Sequence, residues 1–501
     1  MGTLYDRGLG CLHALALLPL LLVPLVIVRR LYFSPASNFR GPFLARVSRL
    51  YEAYHVLLKD DWYENLKSLH EKYGPVVRIG PNEVHIADPE LCLDFHRRPD
   101  LEKCSKYYGL VGTVLGGLSE PQSHLQRKTV IQPLFTGDIL ARYSAGELNV
   151  HMENLHEKLT EAASSQHGEE GTNLTFILWA LTNDIMTSYI FGERTGYLAA
   201  SDLAAAHDAT RAYNAIDLAT VLRTMPPVKI LFNTLPVLRR HSVLGWIDKL
   251  ISTRLARTSK GDSTTQHERG DESILAHLWH ELGGDSHLVT HELAQGVFIG
   301  NESLLSNLTF LLHQMLENPR CIQALRAELD TLDIGAYGHQ VWRDPKVLQL
   351  RTHYVASLRA SAPRWHRQPR QSTEPVVCKG DTTIPAMVSI SFTPRVLERD
   401  ATLFEDPDSF VPERWLGNNL ETQTLRRNSV TFGTGTRTCL GQYIARHVLK
   451  KALVCIVYGF DISLLDADRD SEDGFKYLST YPKKGKAGYM KVRVASRFAA
   501  C

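Results

Sequence analysis

The segment 432–441, with the sequence FGTGTRTCLG, restricts the fold of this 501-residue chain more than any other feature. Its three glycines permit backbone angles and close approaches that side chains forbid. Arg437 stands two residues before Cys439, and a neighbouring positive charge favours the thiolate form of a cysteine. The turn therefore presents a cysteine sulfur beside a surface on which a large flat ligand can lie. A glycine-rich turn without any ligand is the other interpretation.

Other motifs with similar residues do not fit their required spacing. A dinucleotide fingerprint G-x-G-x-x-G that started at Gly433 would need glycine at position 438, which is Thr438, and no phosphate loop surrounds it. His291 and Glu292 begin like the zinc motif H-E-x-x-H, but Gln295 occupies the next required position. The absence of C-x-x-C pairs argues against a zinc ribbon or a dithiol redox site.

The composition describes an ordinary globular protein with enough apolar material for a large core. Hydrophobic residues make up 44% of the chain and charged residues 22%. The 56 basic and 54 acidic residues nearly cancel, so the charge gives no reason to expect nucleic acid as a partner. The eight cysteines show no pairing pattern, which is typical of a reducing compartment. We interpret the polar segment 258–273 as a surface loop between helices.

The spacing F-x-x-G-x-R-x-C-x-G resembles the haem-binding loop of the cytochrome P450 monooxygenases. The matching residues are Phe432, Gly435, Arg437, Cys439 and Gly441. The resemblance implies the mainly α-helical cytochrome P450 fold with a small β region, and haem b (iron protoporphyrin IX) as cofactor. It also implies that Cys439 is the axial ligand of the haem iron, where thiolate donation favours O–O cleavage, and that Arg437 faces a haem propionate.

Two further segments resemble the parts of this family that hold the propionates. His124 and Lys128 lie one helical turn apart in a segment that resembles the family's C helix, so both face the same side. Arg370 follows a Gln-Pro pair and resembles a third propionate contact. The alternative for His124 and Lys128 is an exposed helix face with no ligand.

Residues 291–318 have the length and apolar content of a long central helix. We expect residues 299–304 to break it, because glycine, a carboxylate and a hydroxyl follow one another there. This stretch resembles the family's oxygen-activation site, which implies that Glu302 and Ser303 deliver protons. A helix kink with no catalytic role is the alternative.

The chain departs from the family pattern in the segment that resembles the K helix. Arg359 occupies the arginine position of E-x-x-R, but Ala356 stands at the glutamate position. In the family, that pair joins the arginine of a later Pro-Glu-Arg motif, here Glu413 and Arg414. Loss of one member of a buried charged set can cost ~3 to 5 kcal/mol. We therefore expect Glu413 or ordered water to compensate, and weak haem retention otherwise.

The amino terminus predicts a single membrane anchor. Residues 9–28 are nearly all apolar, and at ~1.5 Å per residue they are about long enough to cross a ~30 Å hydrocarbon core. Two arginines follow directly, which by the positive-inside rule places the body in the cytosol. The predicted organisation is a lumenal end over 1–8, the anchor, a hinge over 29–61 and the catalytic domain over 62–501, at the endoplasmic reticulum membrane.

Three other segments carry weaker expectations. Residues 76–79 and 84–87 predict two short strands around a Gly-Pro-Asn turn. The glycine-rich residues 109–118 predict either a pliant loop of the substrate pocket or a simple turn. Residues 442–458 predict an apolar helix. Its four basic residues form either a solvated face or a surface that attracts an acidic reductase; they are Arg446, His447, Lys450 and Lys451.

Together these features predict a membrane-anchored haem-thiolate monooxygenase that inserts one oxygen atom from O2 into a hydrophobic small molecule. The predicted electron donor is NADPH–cytochrome P450 reductase, with cytochrome b5 as a candidate second partner. The motif wording Pro-Glu-Arg-Trp-Leu resembles fungal members of the trichodiene oxygenase type, which implies terpenoid or related secondary metabolism. Two alternatives stay open: a haem-dependent isomerase or cyclase, and a haem-poor non-catalytic relative.

Overall fold

The structure is a computed structural model. It describes residues 22–59, 61–108, 114–164, 171–192, 194–203, 274–331, 337–349, 367–378, 382–465 and 490–498. Most of the predicted anchor, the first five residues of the glycine-rich segment, the polar segment 258–273, Ala356 and Arg359 lie outside these ranges.

Helices dominate the described part of the chain. In chain order, we label the α-helices α1 (22–32), α2 (Phe43–Val47), α3 (Leu50–Ala53), α4 (Trp62–Tyr73), α5 (Pro89–Arg97), α6 (Ser105–Tyr108), α7 (Pro121–Ile131), α8 (Gly137–Ala145), α9 (Glu147–Ser164), α10 (Leu174–Phe191), α11 (Ile274–Glu281), α12 (Ser286–Glu317), α13 (Pro319–Asp330), α14 (Pro394–Glu398), α15 (Leu420–Asn428) and α16 (Gln442–Gly459). A π-helical stretch, Tyr54–Lys59, continues α3.

The core forms where α10 packs against the central helix α12, with α9 and α16 alongside. Nearly every residue of α10 is buried, because its sequence is apolar on all sides rather than on one stripe. Among the described residues, α10 is also the helix whose length and apolar composition would suit a membrane, and 94% of it is buried inside the protein. Its burial is that of a core helix.

The strands form three small sheets. They are β1 (Val76–Gly80), β2 (Glu83–Ile86), β3 (Glu102–Lys103), β4 (Thr172–Asn173), β5 (Arg370–Gln371), β6 (Val376–Val377), β7 (Thr383–Ile384), β8 (Ser389–Ser391), β9 (Phe460–Leu464) and β10 (Lys491–Ser496). The largest sheet has the order β1-β2-β8-β5-β3, in which β2 and β8 are parallel. The others have the orders β4-β10-β9 and β6-β7.

Two predictions of local structure are confirmed and one is wrong. Strands β1 and β2 pair antiparallel around the Gly-Pro-Asn turn, and α16 covers the predicted apolar helix. The predicted break at 299–304 does not occur, because α12 runs uninterrupted from Ser286 to Glu317. The glycine serves close packing instead. A Cβ on Gly300 would lie 2.4 Å from Cε of Met186, so glycine lets α12 approach α10.

A group of four charged residues, which we call the buried ion cluster, joins α3 to the largest sheet. Arg367 donates to Glu52 and to Glu83, each at 2.5 Å, and Arg49 contacts Glu83 at 2.8 Å. Glu52, Glu83 and Arg367 are buried. The cluster ties the end of the predicted hinge segment 29–61 to the body of the protein.

Candidate active site

The loop that carries Cys439 is a tight turn closed by its own backbone. The backbone N–H of Cys439 donates to the carbonyl of Phe432 at 2.8 Å. Gly433 and Gly435 adopt φ angles of 70° and 66°, which other residues rarely adopt. The glycines are therefore required by the turn itself. The guanidinium of Arg446 lies 4.9 Å from the ring centroid of Phe432 and packs on the loop from α16.

Cys439 differs from the other described cysteines in being accessible. Five cysteines of the described residues are buried, whereas Cys439 is partly exposed. It stands three residues before α16, and Gly441 is the residue that precedes the first turn of this helix. The arrangement can offer its sulfur to a metal centre.

Five basic residues converge beside this loop, and we call them the basic cluster. They are Lys103, His124, Lys128, Arg370 and Arg437. Each comes from an element of defined geometry. Lys103 and Arg370 are cross-strand partners on β3 and β5, and His124 and Lys128 share one face of α7. The structure thus brings together the predicted propionate residues and adds Lys103, which the sequence analysis missed.

Burial and mutual repulsion disfavour positive charge on members of the basic cluster. Burial, followed by the charges of Arg370 and Arg437, lowers the pKa of Lys103 to about 7. Burial and the surrounding cations lower the pKa of His124 to about 3, so its imidazole is neutral. Burial and the charge of Arg370 lower the pKa of Arg437 to about 10. A site in which positive charge is this unfavourable is suited to an anionic ligand.

The basic cluster has no carboxylate partner at salt-bridge distance among the described residues, which suits a ligand that supplies carboxylates of its own. Within the described ranges, no carboxylate lies within salt-bridge distance of any of the five side chains. Arg370 is 5% exposed, and its Nη1 atom is buried without a hydrogen-bond partner. Such orphaned donors are costly unless a ligand satisfies them. The residues present therefore fit the two propionates of a haem, with Cys439 on the neighbouring loop.

Three members of the basic cluster, Lys103, Lys128 and Arg437, also donate to backbone carbonyls. Arg437 donates to the carbonyls of Leu118 and Ser119, at 2.9 and 3.0 Å. Lys128 donates to the carbonyl of Thr436 at 2.7 Å and so connects α7 to the cysteine loop. Lys128 is therefore not part of a free solvated face. The site is braced from α7 and from the segment before it.

The predicted proton-delivery residues lie in the middle of α12. Glu302 and Ser303 are both partly buried, and the carbonyl of Ser303 accepts from Nδ2 of Asn307 at 2.7 Å. Ile299, one turn earlier, is 50% exposed although it belongs to the central helix. Ile299, Glu302 and Ser303 are spaced by three and four residues, which places them on one side of α12.

The Pro-Glu-Arg motif is part of a separate contact. Glu413 forms an ion pair with Arg320 at the start of α13. Arg414 donates to the carbonyls of Glu405 and Asp406 at 2.6 and 3.1 Å. The described residues thus show Glu413 engaged with α13. Its predicted partner Arg359 lies outside the described ranges.

Two of the four basic residues of α16, Lys450 and Lys451, do not belong to the predicted surface. Lys450 and Lys451 are only 8% and 3% exposed. Lys451 donates to the carbonyl of Ser144 at 3.0 Å and to Oδ1 of Asn149 at 2.6 Å. Both interpretations of this run, as a solvated face and as a reductase-attracting surface, are wrong for these two lysines. Their ammonium groups satisfy carbonyl groups of neighbouring elements inside the protein.

A glycine-rich loop with a partly exposed cysteine, beside a cluster of basic side chains on a mainly helical fold with small sheets, fits a haem-thiolate protein. The family model described as cytochrome P450 matches residues 46–488, so this chain belongs to the cytochrome P450 family. The family implies a haem cofactor and makes the protein an oxidoreductase.

Curated relatives cover nearly the whole chain. A tryptophan 6-hydroxylase from Fusarium equiseti is 27% identical and covers 92% of each chain. A cytochrome P450 monooxygenase from Sordaria araneosa is also 27% identical and covers 95% of this chain and 97% of its own. The cytochrome P450 monooxygenase TRI4 from Trichoderma arundinaceum is 26% identical and covers 93% of each. The predicted resemblance to fungal members of the family is confirmed.

Replacing Lys103 with methionine should weaken haem binding and stabilise the apoprotein. Loss of one charge-assisted contact predicts a roughly tenfold or greater loss of haem affinity, measured by titrating the apoprotein with haem. In the folded apoprotein, the lowered pKa of Lys103 reduces the free energy of unfolding. This destabilisation is complete below about pH 7 and disappears as pH rises towards 10.5. The stability gain of Lys103→Met should therefore shrink between pH 7 and 9. The exposed Lys106 provides the control variant Lys106→Met, and equal behaviour of the two variants would contradict this role.

Proposed function

We propose that this protein is a haem b-dependent monooxygenase that inserts one oxygen atom from O2 into a hydrophobic small molecule, with electrons supplied from NADPH by cytochrome P450 reductase. The observation that carries the proposal is the pairing of the loop that holds the partly exposed Cys439 with a buried Arg370 whose Nη1 atom has no hydrogen-bond partner. The first suits an iron ligand and the second suits a propionate. Cytochrome b5 is a candidate second electron donor.

When bound, haem supplies the oxygen-activating chemistry, and the protein positions it. In this proposal Cys439 holds the iron, and four residues of the basic cluster named from the sequence orient the propionates: His124, Lys128, Arg370 and Arg437. Phe432 and Gly441 shape the loop around the ligand. Glu302 and Ser303 lie on the face of α12 that also carries the exposed Ile299, and there they hold and pass protons.

The proposed substrate is a terpenoid or a related intermediate of fungal secondary metabolism. The support is the resemblance to fungal relatives such as TRI4 and the apolar character of Ile299 beside the proposed pocket. One relative is named as a tryptophan 6-hydroxylase, so tryptophan is the substrate against which terpenoids should be compared. A hydrophobic pocket would favour the terpenoid.

The proposed location is the endoplasmic reticulum membrane, with one anchor over residues 9–28 and the catalytic domain in the cytosol. Residues 22–28 lie in α1, and several of their apolar side chains are exposed. Phe33, Phe43 and Leu44, further along the chain, are 76%, 57% and 61% exposed. This series of exposed apolar side chains supports contact with lipid.

The proposed reaction is tested with the membrane fraction, a reductase, NADPH and ¹⁸O2. When a panel of terpenoids is offered as substrates, we expect a product that has gained one ¹⁸O atom from ¹⁸O2. Tryptophan should give little or no product, and no product should form when the reductase is omitted. Product formed without reductase and NADPH would instead identify an isomerase or cyclase. A reduced carbon monoxide difference spectrum without a thiolate-type Soret band would overturn haem-thiolate function altogether.

A further inference from the structure

The described part of the segment between α6 and α7 is held by two side chains of the central helix. We call residues 114–119, its described part, the capping loop. The backbone N–H of Leu115 donates to both carboxylate oxygens of Glu292, at 2.9 and 3.1 Å. The next N–H, of Gly116, donates to Oε1 of Gln295 at 3.0 Å. Two successive loop amides are thus bound by two side chains one turn apart on α12.

Glu292 is well suited to hold a loop in place. Its side chain is 4% exposed and also accepts from Nη1 of Arg127 on α7, at 2.7 Å. Burial raises the pKa of Glu292 against the opposing effects of the Leu115 N–H and Arg127. A buried carboxylate is costly unless several donors satisfy it. Glu292 therefore favours the arrangement in which the capping loop, α7 and α12 all meet.

The opposite side of the capping loop is held by the basic cluster. Nζ of Lys103 donates to the carbonyl of Gly116 at 2.6 Å. Arg437 donates to the carbonyls of Leu118 and Ser119. The N–H groups of the loop thus point to α12, whereas its carbonyls bind residues that would also contact haem propionates. The loop therefore lies between α12 and the basic cluster.

Glu292 and Gln295 lie on the same face of α12 as Ser303, one of the two proposed proton-delivery residues. Glu292, Gln295 and Ile299 are spaced by three and four residues, which places them on one side of a helix, and Ser303 follows four residues later. Gln295 and Ser303 are separated by about 12 Å along the axis at ~1.5 Å per residue. The capping loop therefore covers the beginning of the face that Ile299 leaves open.

We propose that Glu292 and Gln295 are positioning residues that fix the closed position of the capping loop, and that this position limits the size of the apolar molecule that can enter beside α12. The limit on entry rests on the proposed haem-thiolate function. The hydrogen bonds from the capping loop to Glu292 and Gln295, which we call the clamp, do not depend on that function, because they are made within the protein. The two parts can therefore fail separately.

Gly116 is the loop residue that makes the clamp possible. A Cβ at this position would lie 2.3 Å from Nε2 of Gln295. Gly116→Ala therefore displaces the Gln295 amide or the loop, and either movement breaks the hydrogen bond. In the Gly116→Ala background, truncation of Gln295 should have little further effect, because the contact it would remove is already lost.

Hydrogen–deuterium exchange tests the clamp without any assay of turnover. We expect Glu292→Ala to accelerate exchange of the Leu115 and Gly116 amides roughly tenfold, the scale of one lost hydrogen bond. Glu292→Gln keeps one acceptor and should give a smaller increase, which also covers the case in which the alanine variant folds poorly. Glu317→Gln, at the other end of α12, is the control. Unchanged exchange at Leu115 and Gly116 in both Glu292 variants would overturn the clamp.

Stopped-flow binding of two azoles to the haem-loaded protein tests the effect on entry. Imidazole is small, and clotrimazole is a bulky apolar probe of the same iron-binding type. Glu292→Ala and Gly116→Ala should raise the association rate of clotrimazole several-fold while that of imidazole changes little. Equal changes for both probes, or none, would overturn the size limit. A protein that binds neither azole to haem would contradict the proposed function, while the exchange result would still decide the clamp.

Discussion

Cys439→Ser should abolish the thiolate-type Soret band in the reduced carbon monoxide difference spectrum and lower turnover by at least about a hundredfold, the scale of losing one essential transition-state interaction. Serine preserves the size of the side chain, and Cys439 is partly exposed, so the fold should persist. The haem-thiolate interaction would be lost because a serine hydroxyl is not ionised at neutral pH.

The matched control for this substitution is Cys378→Ala in the β6–β7 hairpin, where the cysteine is buried and 5% exposed. This variant should keep the thiolate-type spectrum. Retention of the same band in Cys439→Ser would show that another cysteine ligates the iron. Loss of the band in both variants would indicate general instability instead, which far-UV circular dichroism would reveal.

Arg367→Ala should lower the free energy of unfolding by about 3 to 5 kcal/mol, the usual cost of breaking a buried ion pair from one side. Arg367 contacts Glu52 and Glu83, and its removal leaves two buried carboxylates with Arg49 as their remaining partner in the cluster. Urea unfolding followed by circular dichroism measures the change. Arg399→Ala removes an ion pair with the exposed Asp408 and should cost about 1 kcal/mol or less.

The pH dependence distinguishes this mechanism from loss of packing. Burial alone would raise the pKa of Glu83, but the charges of Arg367 and Arg49 overcome it and lower the pKa to about 2. In the natural protein, this contribution is complete above about pH 4.5 and disappears as pH falls towards 2. In Arg367→Ala the pKa of Glu83 should rise, so protonation of Glu83 stabilises the folded variant as pH falls. The difference in unfolding free energy between the natural protein and the variant should therefore narrow from pH 7 to 4.5. A constant difference would indicate packing alone.

Local signals in the sequence predicted local structure well. The Gly-Pro-Asn turn between two β-branched runs predicted β1 and β2, and the spacing of five residues predicted the loop around Cys439. The prediction of a break in α12 failed because Gly300 was interpreted within its own helix. Its neighbour Met186 belongs to α10, which is distant in sequence, and the close approach of two helices has no local signature.

Residues that act through long-range contacts were the ones missed. Lys103 joins the basic cluster only because β3 pairs with β5, more than 260 residues away. Glu292 and Gln295 were considered only as parts of a zinc motif whose spacing does not fit, and their contact with the capping loop could not be inferred from spacing. Nothing in the sequence around these two residues or in the glycine-rich segment indicated that they meet.

The burial of three lysines also alters the charge that the molecule presents to its solvent. Burial, with neighbouring cations, lowers the pKa values of Lys103, Lys450 and Lys451 to about 7, 8 and 8. A formal net charge of +2 counts all three as cations. The isoelectric point of the apoprotein should therefore fall below the value expected from composition. Haem propionates would both add negative charge and return a proton to Lys103, so isoelectric focusing can separate loaded from empty molecules.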